Sequence, residues 1–513
     1  MINGDILARA SALDLAEEAD MLRLASDIAS IVRPGDLIAL SGDLGAGKST
    51  FARALIRSLA DDPELEAPSP TFTLMQGYDT PRGRVLHADL YRIRGGEELV
   101  ELGLVQELEG AIGLLEWPDR AGELLDGDSR LDLVIELEPD GGDSARRVTL
   151  IPGAAWEGRL RLALAARRLI AKAGWNEARR VHMQGDASTR AYERLVHPDG
   201  RSAVLMLSPP RADGPAVRGG KPYSAVARLA ERVDAFVAMA KGLSDQGFSA
   251  PAIHAQDLVE GVLLTEDLGS EPVIADGAPI PERYEAAIDV LAALHGRQLP
   301  TVLPVSAARV HAIPDYDHPA LEIEVELLLD WYAPHIAGVM LPAVARAEFV
   351  RLWTVLFDEI AQGPRTWTLR DYHSPNLIWL PAREGLRRVG LIDFQDAVLG
   401  HPAYDVVSLG QDARLDVPPE LELRLISRYA RQRGAEDPEF GLADFARAYA
   451  ILGAQRNTKI LGIFARLDKR DGKPAYLRHL PRIEDYLRRN LAHPALADLA
   501  GWCRTHLPRL FPA

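Results

Sequence analysis

The sequence predicts an α/β domain built around a phosphate-binding loop, followed by a larger two-lobed α+β domain. Three observations lead there. Helix and strand patterns alternate as far as Arg147, and a glycine-rich loop lies between an apolar strand and a helix at Gly42–Thr50. Short strands then open a second part that turns mostly helical from Pro281 onward. The charge divides with the pattern. Of a net −16, residues 1–155 hold 29 Asp and Glu against 14 Lys and Arg, whereas residues 156–513 hold 45 against 44.

At 513 residues the chain exceeds one core, which stops growing at roughly 250–300 residues. With 47% hydrophobic and 26% charged residues it has a globular composition. The single cysteine, Cys503, excludes an intrachain disulfide and suits a reducing compartment. The first twenty residues lack a basic start and apolar run, and no stretch of about 18 apolar residues occurs, so a cytoplasmic protein with no membrane association is expected. So acidic a first third is not expected to bind nucleic acid directly, since phosphate neutralisation needs clustered Lys and Arg.

In order along the chain, Leu22–Val32 reads as a helix, "DLIALSG" as a strand entering a loop, and Ser49–Leu59 as the following helix. "RVLHADLY", "AIGLLEWP", "RLDLVIELEP" and "RRVTLIPG" read as further strands. An Ala/Arg-rich helical stretch, "WEGRLRLALAARRLIAKAGW", marks the boundary, dividing the chain into 1–155, a linker helix 156–174, and 175–513. Beyond it "YERLVH" and "SAVLML" are strands, Ser224–Leu243 a helix, "GVLLTEDLG" a strand, and "SPPRADGPAVRGGKPYS" a mobile loop.

"GDLGAGKST" satisfies G-x-x-x-x-G-K-[ST] in the required strand-to-helix context. Here the backbone of Gly42, Asp43, Gly45, Ala46 and Gly47 can curl around phosphate oxygens, with Thr50 closing the loop. Lys48 neutralises the β and γ phosphates of ATP, and the Ser49 hydroxyl can ligate Mg²⁺. Asp89, ending an apolar run, can reach the magnesium or its water shell; an exposed strand-end carboxylate is the other reading. Alone, "SPTF" and "EW" read as a turn and a packed Trp.

Taken together and in order, "GDLGAGKST…SPTFTL…HADLYR…LLEWP" resembles the TsaE family, small bacterial ATPases of the tRNA threonylcarbamoyladenosine pathway. The family's motif residues fall on Gly42–Thr50, Thr71, Asp89, Glu116 and Trp117, and the resemblance implies a place for Trp117 near the nucleotide base. It also implies the TsaB and TsaD proteins as partners, so an acidic domain can serve tRNA modification without touching RNA.

The second part carries "RDYHSPN". Asp371 has the position of a base beside an acceptor hydroxyl, and Asn376, five residues on, that of a metal ligand. Protein kinases space the two residues alike. "LIDFQDA" then delivers Asp393 as a second magnesium ligand. Leu369 replaces the usual leading His and Gln395 the Gly after Asp-Phe, which argues against a protein substrate. In "GDASTRAYERL" Gly185 and Ser188 lie where backbone amides can cover phosphates, although a hairpin turn reads alike. Met206 stands about where a strand Lys is expected; Arg190 or Lys221 could substitute, and Glu231, on the next helix, either partners such a cation or faces solvent.

These strings resemble the aminoglycoside phosphotransferase and choline kinase superfamily, which implies a two-lobed protein-kinase-like α+β fold. "GDASTRAY", "GHPAYDVVSL" and "QRNTKILGIFARLDKRDGKPAYL" narrow the resemblance to its AmgK branch, anomeric kinases of N-acetylmuramate and N-acetylglucosamine. The resemblance implies that Asp371 takes the proton of the sugar C1 hydroxyl and that Asn376 and Asp393 hold magnesium. His373, Arg456 and Asn457 are candidates for contacting the amino sugar. The competing reading is a kinase of an aminoglycoside, choline or other small alcohol, with an N-terminal interaction module that responds to nucleotide without turning it over.

Overall fold

The structure, a computed structural model, describes residues 10–511 apart from 126, 139–141, 143, 184–189 and 211–213. The chain forms two compact units. One reaches to Pro209 and takes in His254–Thr265; the other comprises Pro210–Ile253 and Glu266–Ala513.

The first unit contains strands β1 Ser11–Leu15, β2 Leu37–Ser41, β3 Met75–Thr80, β4 Gly83–Asp89, β5 Ile112–Glu116, β6 Arg130–Leu137 and β7 Arg146–Pro152. They make one sheet of order β1-β7-β6-β2-β5-β4-β3. β2 runs parallel to β5 and β6, and β4 parallel to β5, while β7 and β3 join antiparallel at the flanks. The C-terminal ends of β2, β4 and β5 therefore share one edge, where open α/β sheets bind ligands. Helices α1 Glu18–Ala29 and α2 Lys48–Ala60 bury Leu24, Ile28, Phe51 and Leu55 against Ile38, Leu40, Ile112 and Leu133.

A second sheet follows, from β8 Arg179–Met183, β9 Ala191–Val196, β10 Ser202–Leu207, β11 Ile253–Asp257 and β12 Val262–Glu266, in the order β11-β12-β10-β9-β8. Between the sheets lies α3, Glu157–Lys172. The Ala/Leu-rich stretch is apolar on two faces because it serves two cores. Leu160, Ala163 and Leu164 pack with the first sheet, and Leu162, Ala165, Leu169 and Ile170 with Leu195, Leu205, Val262 and Leu264 of the second. What reads as a linker is a shared core element.

Charged groups cross the same junction. Asp27 of α1, 3% exposed, pairs with Arg167 of α3 at 2.9 Å and with Arg180 of β8. Arg180 also donates to Glu193 of β9 at 2.5 Å, and Arg82 of the β3–β4 turn stands 4.0 Å from the same carboxylate. Each buried carboxylate thus has a guanidinium partner, which such burial requires.

The second unit holds α4 Val233–Asp245, α5 Pro281–His295, α6 His318–Leu327, α7 Ala343–Ala361, α8 Ala403–Gly410, α9 Pro419–Glu436, α10 Leu442–Lys469, α11 Leu480–Leu491 and α12 Ala497–His506. Its core gathers Phe349, Trp353, Ile451, Leu461, Ile483 and Trp502. Cys503 is buried there, and burial pushes its thiol up to about 12. Four short strands, β13 Thr366–Thr368, β14 Leu377–Trp379, β15 Val389–Leu391 and β16 Val398–Gly400, pair antiparallel as β13 with β16 and β14 with β15.

Two sequence expectations change here. The helix expected over Ser224–Leu243 is broken, with one turn at Tyr223–Val226 and α4 beginning at Val233. Arg228 between them has a left-handed φ of 58°. Long-range groups capture the backbone a continuous helix would need: Arg370 donates to the Ala227 carbonyl at 3.0 Å, and Ala230 N–H donates to Asp396 at 2.6 Å. The expected mobile loop carries a hairpin, Ala216–Arg218 with Lys221–Pro222, and Arg218 forms an ion pair with Glu326 of α6. Among the described residues no helix is long and apolar enough to cross a membrane.

Candidate active sites

In the first unit the P-loop leaves β2 with Gly42, Gly45 and Gly47 at φ of 143°, 81° and 114°. Side chains rarely adopt these angles, and a Cβ on Gly42 would meet the Ile135 carbonyl oxygen at 2.2 Å. Asp43 and Ala46 complete the turn, and Thr50 lies in the first turn of α2. The Lys48 ammonium donates to the carbonyls of Gly42 and Asp43, both at 2.8 Å, and sits 3.8 Å from the Trp117 ring centroid. Burial pushes Lys48 below its ordinary value, with Glu116 and Asp89 acting in the other direction.

The parallel register sets Asp89 opposite Glu116 at the strand ends. Glu116 accepts from Ser49 Oγ at 2.9 Å, and Asp89 accepts from Thr71 Oγ1 at 3.1 Å and Ser69 Oγ at 3.3 Å. Sequence reasoning quoted His87 inside "HADLY" without giving it a role. It is buried, and its Nε2 lies 3.0 Å from the second oxygen of Glu116. The signal was present, since His87 and Asp89 are two apart on a strand and so share a face. A hydroxyl and two carboxylates are hard oxygen donors, so this set fits Mg²⁺ with phosphate and water completing its shell.

In the second unit the loop 369–376 joins β13 to β14, and Asp393 follows β15, so two antiparallel pairs bring Asp371, Asn376 and Asp393 together. The Asn376 amide nitrogen donates to the Asp371 carbonyl at 2.9 Å and lies 3.5 Å from Asp393 Oδ2, which leaves its carbonyl oxygen to face a cation. Gln395, found where a Gly was expected, donates to Asp393 Oδ1 at 2.8 Å and so orients it. Asp393 itself has φ 59°, a strained value of the kind that clusters at functional sites. One carboxylate and one amide oxygen fit Mg²⁺, which takes few protein ligands and keeps phosphate and water oxygens.

Burial draws Asp371 upward, yet Lys459, His373, Arg370 and Arg456 more than offset it and hold the carboxyl below its ordinary value. His373 is 8% exposed; burial pushes it down to about 4, so it is neutral at pH 7. The loop is clamped by acids that the sequence reading left without roles. Asp405 of α8 accepts from the backbone N–H of Leu369 at 2.6 Å and of Arg370 at 2.9 Å, and Asp412 accepts from Ser374 N–H and Oγ at 2.9 and 2.6 Å. Arg370 forms an ion pair with Glu324 of α6, which also accepts from Tyr316, Gln455 and Lys459. No local pattern reveals these partners, because each lies far along the chain from the loop.

Of the other candidates, Gly185 and Ser188 lie outside the described residues. Met206 is 1% exposed within the small sheet, Lys221 is exposed on its hairpin, and Arg190 precedes β9. Glu231 lies in the break before α4 and accepts from Ser224 Oγ at 2.7 Å, so it neither rides a helix nor simply faces solvent. Asn457 donates from its amide nitrogen to Gln411 Oε1 and the Gly453 carbonyl, both at 2.8 Å, which ties that nitrogen to the protein.

Residues 15–148 match the family model of the threonylcarbamoyl adenosine biosynthesis protein TsaE, and residues 181–443 that of the phosphotransferase enzyme family. The chain is 40% identical over 365 residues to the N-acetylmuramate/N-acetylglucosamine kinase of Caulobacter vibrioides, covering 68% of this chain and 99% of that protein. The kinase of the same name from Pseudomonas aeruginosa is 34% identical over 340 residues, 64% of this chain and 90% of the relative. The TsaE protein of Rickettsia bellii is 38% identical over 111 residues, 22% of this chain and 76% of the relative. Both families use ATP with Mg²⁺. The chain therefore belongs to the phosphotransferase enzyme family, as an alcohol-group kinase related to sugar kinases, and carries a domain of the TsaE ATPase family ahead of its kinase domain.

Proposed function

We propose that the chain is bifunctional, with functional boundaries at 1–155, 156–174 and 175–513. Residues 175–513 phosphorylate the anomeric hydroxyl of N-acetylmuramate or N-acetylglucosamine, returning cell-wall sugars to biosynthesis, and residues 1–155 act as the ATPase of tRNA threonylcarbamoyladenosine modification with TsaB and TsaD. The observation that carries the kinase reading is the convergence of Asp371, Asn376 and Asp393 on a loop clamped by Asp405 and Asp412.

ATP with Mg²⁺ supplies an activated γ-phosphoryl group and the charge that stabilises its transfer. Asp371 orients the sugar C1 hydroxyl and accepts its proton as the C1 oxygen bonds to the γ-phosphorus and the β–γ bridging bond breaks to release ADP. A carboxyl held below its ordinary value is a weak base, which suits a loose transition state in which the proton leaves late. Asn376 and Asp393 hold the magnesium. In the first domain Gly42–Thr50 cradle the phosphates, Ser49 and Asp89 serve the magnesium, Glu116 holds Ser49, and Trp117 lies beside Lys48.

Two single variants of the full chain test the assignment, because α3 feeds both cores of the first unit and truncation would strip one. Asp371→Asn should lower sugar phosphorylation by about 10²-fold or more while leaving TsaB/TsaD-dependent ATP turnover intact. Lys48→Ala should do the reverse. Sugar phosphorylation that survives the first variant and dies with the second refutes the assignment of the sites.

A further inference from the structure

We propose that Arg456 recognises the carboxylate of N-acetylmuramate and so distinguishes this acceptor from N-acetylglucosamine, an inference that rests on the sugar-kinase reading above. The two sugars differ by a lactyl ether bearing one carboxylate. An enzyme that favours the acidic sugar needs a cation beside its catalytic loop that its own acids have not consumed.

Arg456 meets that description. It lies on α10 and is 3% exposed. Among the described residues its one hydrogen bond is long, 3.5 Å from Nη1 to the Gln411 carbonyl, and no carboxylate lies within ion-pair distance. Of the neighbouring cations, Arg370 and Lys459 are committed otherwise. Arg370 pairs with Glu324, and Lys459, one turn along α10 from Arg456, reaches the same carboxylate at 3.1 Å. Asp412, next in the chain to Gln411, is occupied by two hydrogen bonds from Ser374.

A guanidinium so little exposed, with one long hydrogen bond and no carboxylate within ion-pair distance among the described residues, is costly to keep, so its retention points to an anion supplied by a ligand. A guanidinium is suited to a carboxylate because its planar fork can donate two parallel hydrogen bonds. Arg456 is also close enough to lower Asp371 and His373 electrostatically, which places it by the acceptor-activating loop.

The experiment is steady-state phosphorylation by the full-length protein and its Arg456→Gln and Arg456→Lys variants, with each sugar as acceptor and ATP varied separately. The expected result for Arg456→Gln is a fall in kcat/KM for N-acetylmuramate of about 30-fold, carried by KM, as for loss of a charge-assisted contact. N-acetylglucosamine should change by less than about 3-fold on the same grounds, with KM for ATP unmoved and Arg456→Lys recovering part of the loss. Equal losses on both sugars mean a structural role, a raised KM for ATP means a phosphate contact, and no change means no contact; each overturns the inference. Failure of the unaltered protein to phosphorylate either sugar overturns the sugar-kinase reading itself.

Discussion

Replacing Arg180 by methionine is expected to destabilise the first unit by about 3–5 kcal/mol, the cost of leaving a buried ion partner uncompensated. Arg180 is the junction of the network, donating to Asp27 and, at 2.5 Å, to Glu193. Without it Asp27 keeps Arg167 at 2.9 Å, but Glu193, 2% exposed, keeps among the described residues only Arg82 at 4.0 Å. The loss therefore falls mainly on Glu193. For a unit of this size a change of 1 kcal/mol moves the melting temperature by about 2–4 °C, so a shift of roughly 10 °C is expected. Calorimetry of the full chain can follow the transition of this unit separately, as two compact units need not unfold together. The double variant Arg180→Met/Glu193→Met should recover much of the loss, because it removes the stranded charge as well as its partner. A shift below about 2 °C in the single variant, or a double variant less stable than the single, would refute the reasoning.

Burial and the neighbouring His295 push His401 from 6.5 down to about 4, so the folded chain holds it neutral. The unfolded state then binds the proton more readily; this contribution is complete above about pH 6.5, is lost as pH falls toward 4, and amounts to about 3 kcal/mol. His401→Gln should flatten the pH dependence of chemical denaturation across that window. Gly42→Ala should abolish nucleotide binding to the first domain and destabilise it by more than about 1 kcal/mol, since φ is 143° and the added carbon meets the Ile135 carbonyl oxygen at 2.2 Å; equilibrium nucleotide titration and melting check both. Gln395→Ala frees Asp393 from a 2.8 Å hydrogen bond, and the magnesium concentration for half-maximal sugar phosphorylation should rise by about 5-fold, equivalent to about 1 kcal/mol.

Local sequence carried much of each site because phosphate chemistry demands particular residues at short spacing. Gly42–Thr50 could be read from one strand-loop-helix string, and Asp371, Asn376 and Asp393 from a loop and the strand after it. Their clamps could not. Asp405 and Asp412 reach the loop from 35 or more residues away, and the Glu324 carboxylate that pairs with Arg370 is contributed by α6. The broken helix at Arg228 was missed for the same reason, since the groups that capture its backbone belong to Arg370 and Asp396. Propensity sees neighbours in sequence, and tertiary contacts overrode it there.

By itself the sequence determined the two domain families, their order, and the acidic character of the first domain, because motif spacing and charge are properties of the string. Only the tertiary structure decided that the helix after residue 156 is shared by two cores, that the Asn457 amide nitrogen is tied to the protein, and that Arg456 has one long hydrogen bond and no carboxylate within ion-pair distance among the described residues. Whether a polar side chain is consumed or left available depends on partners distant in the chain, and folding is what brings those partners within hydrogen-bond reach.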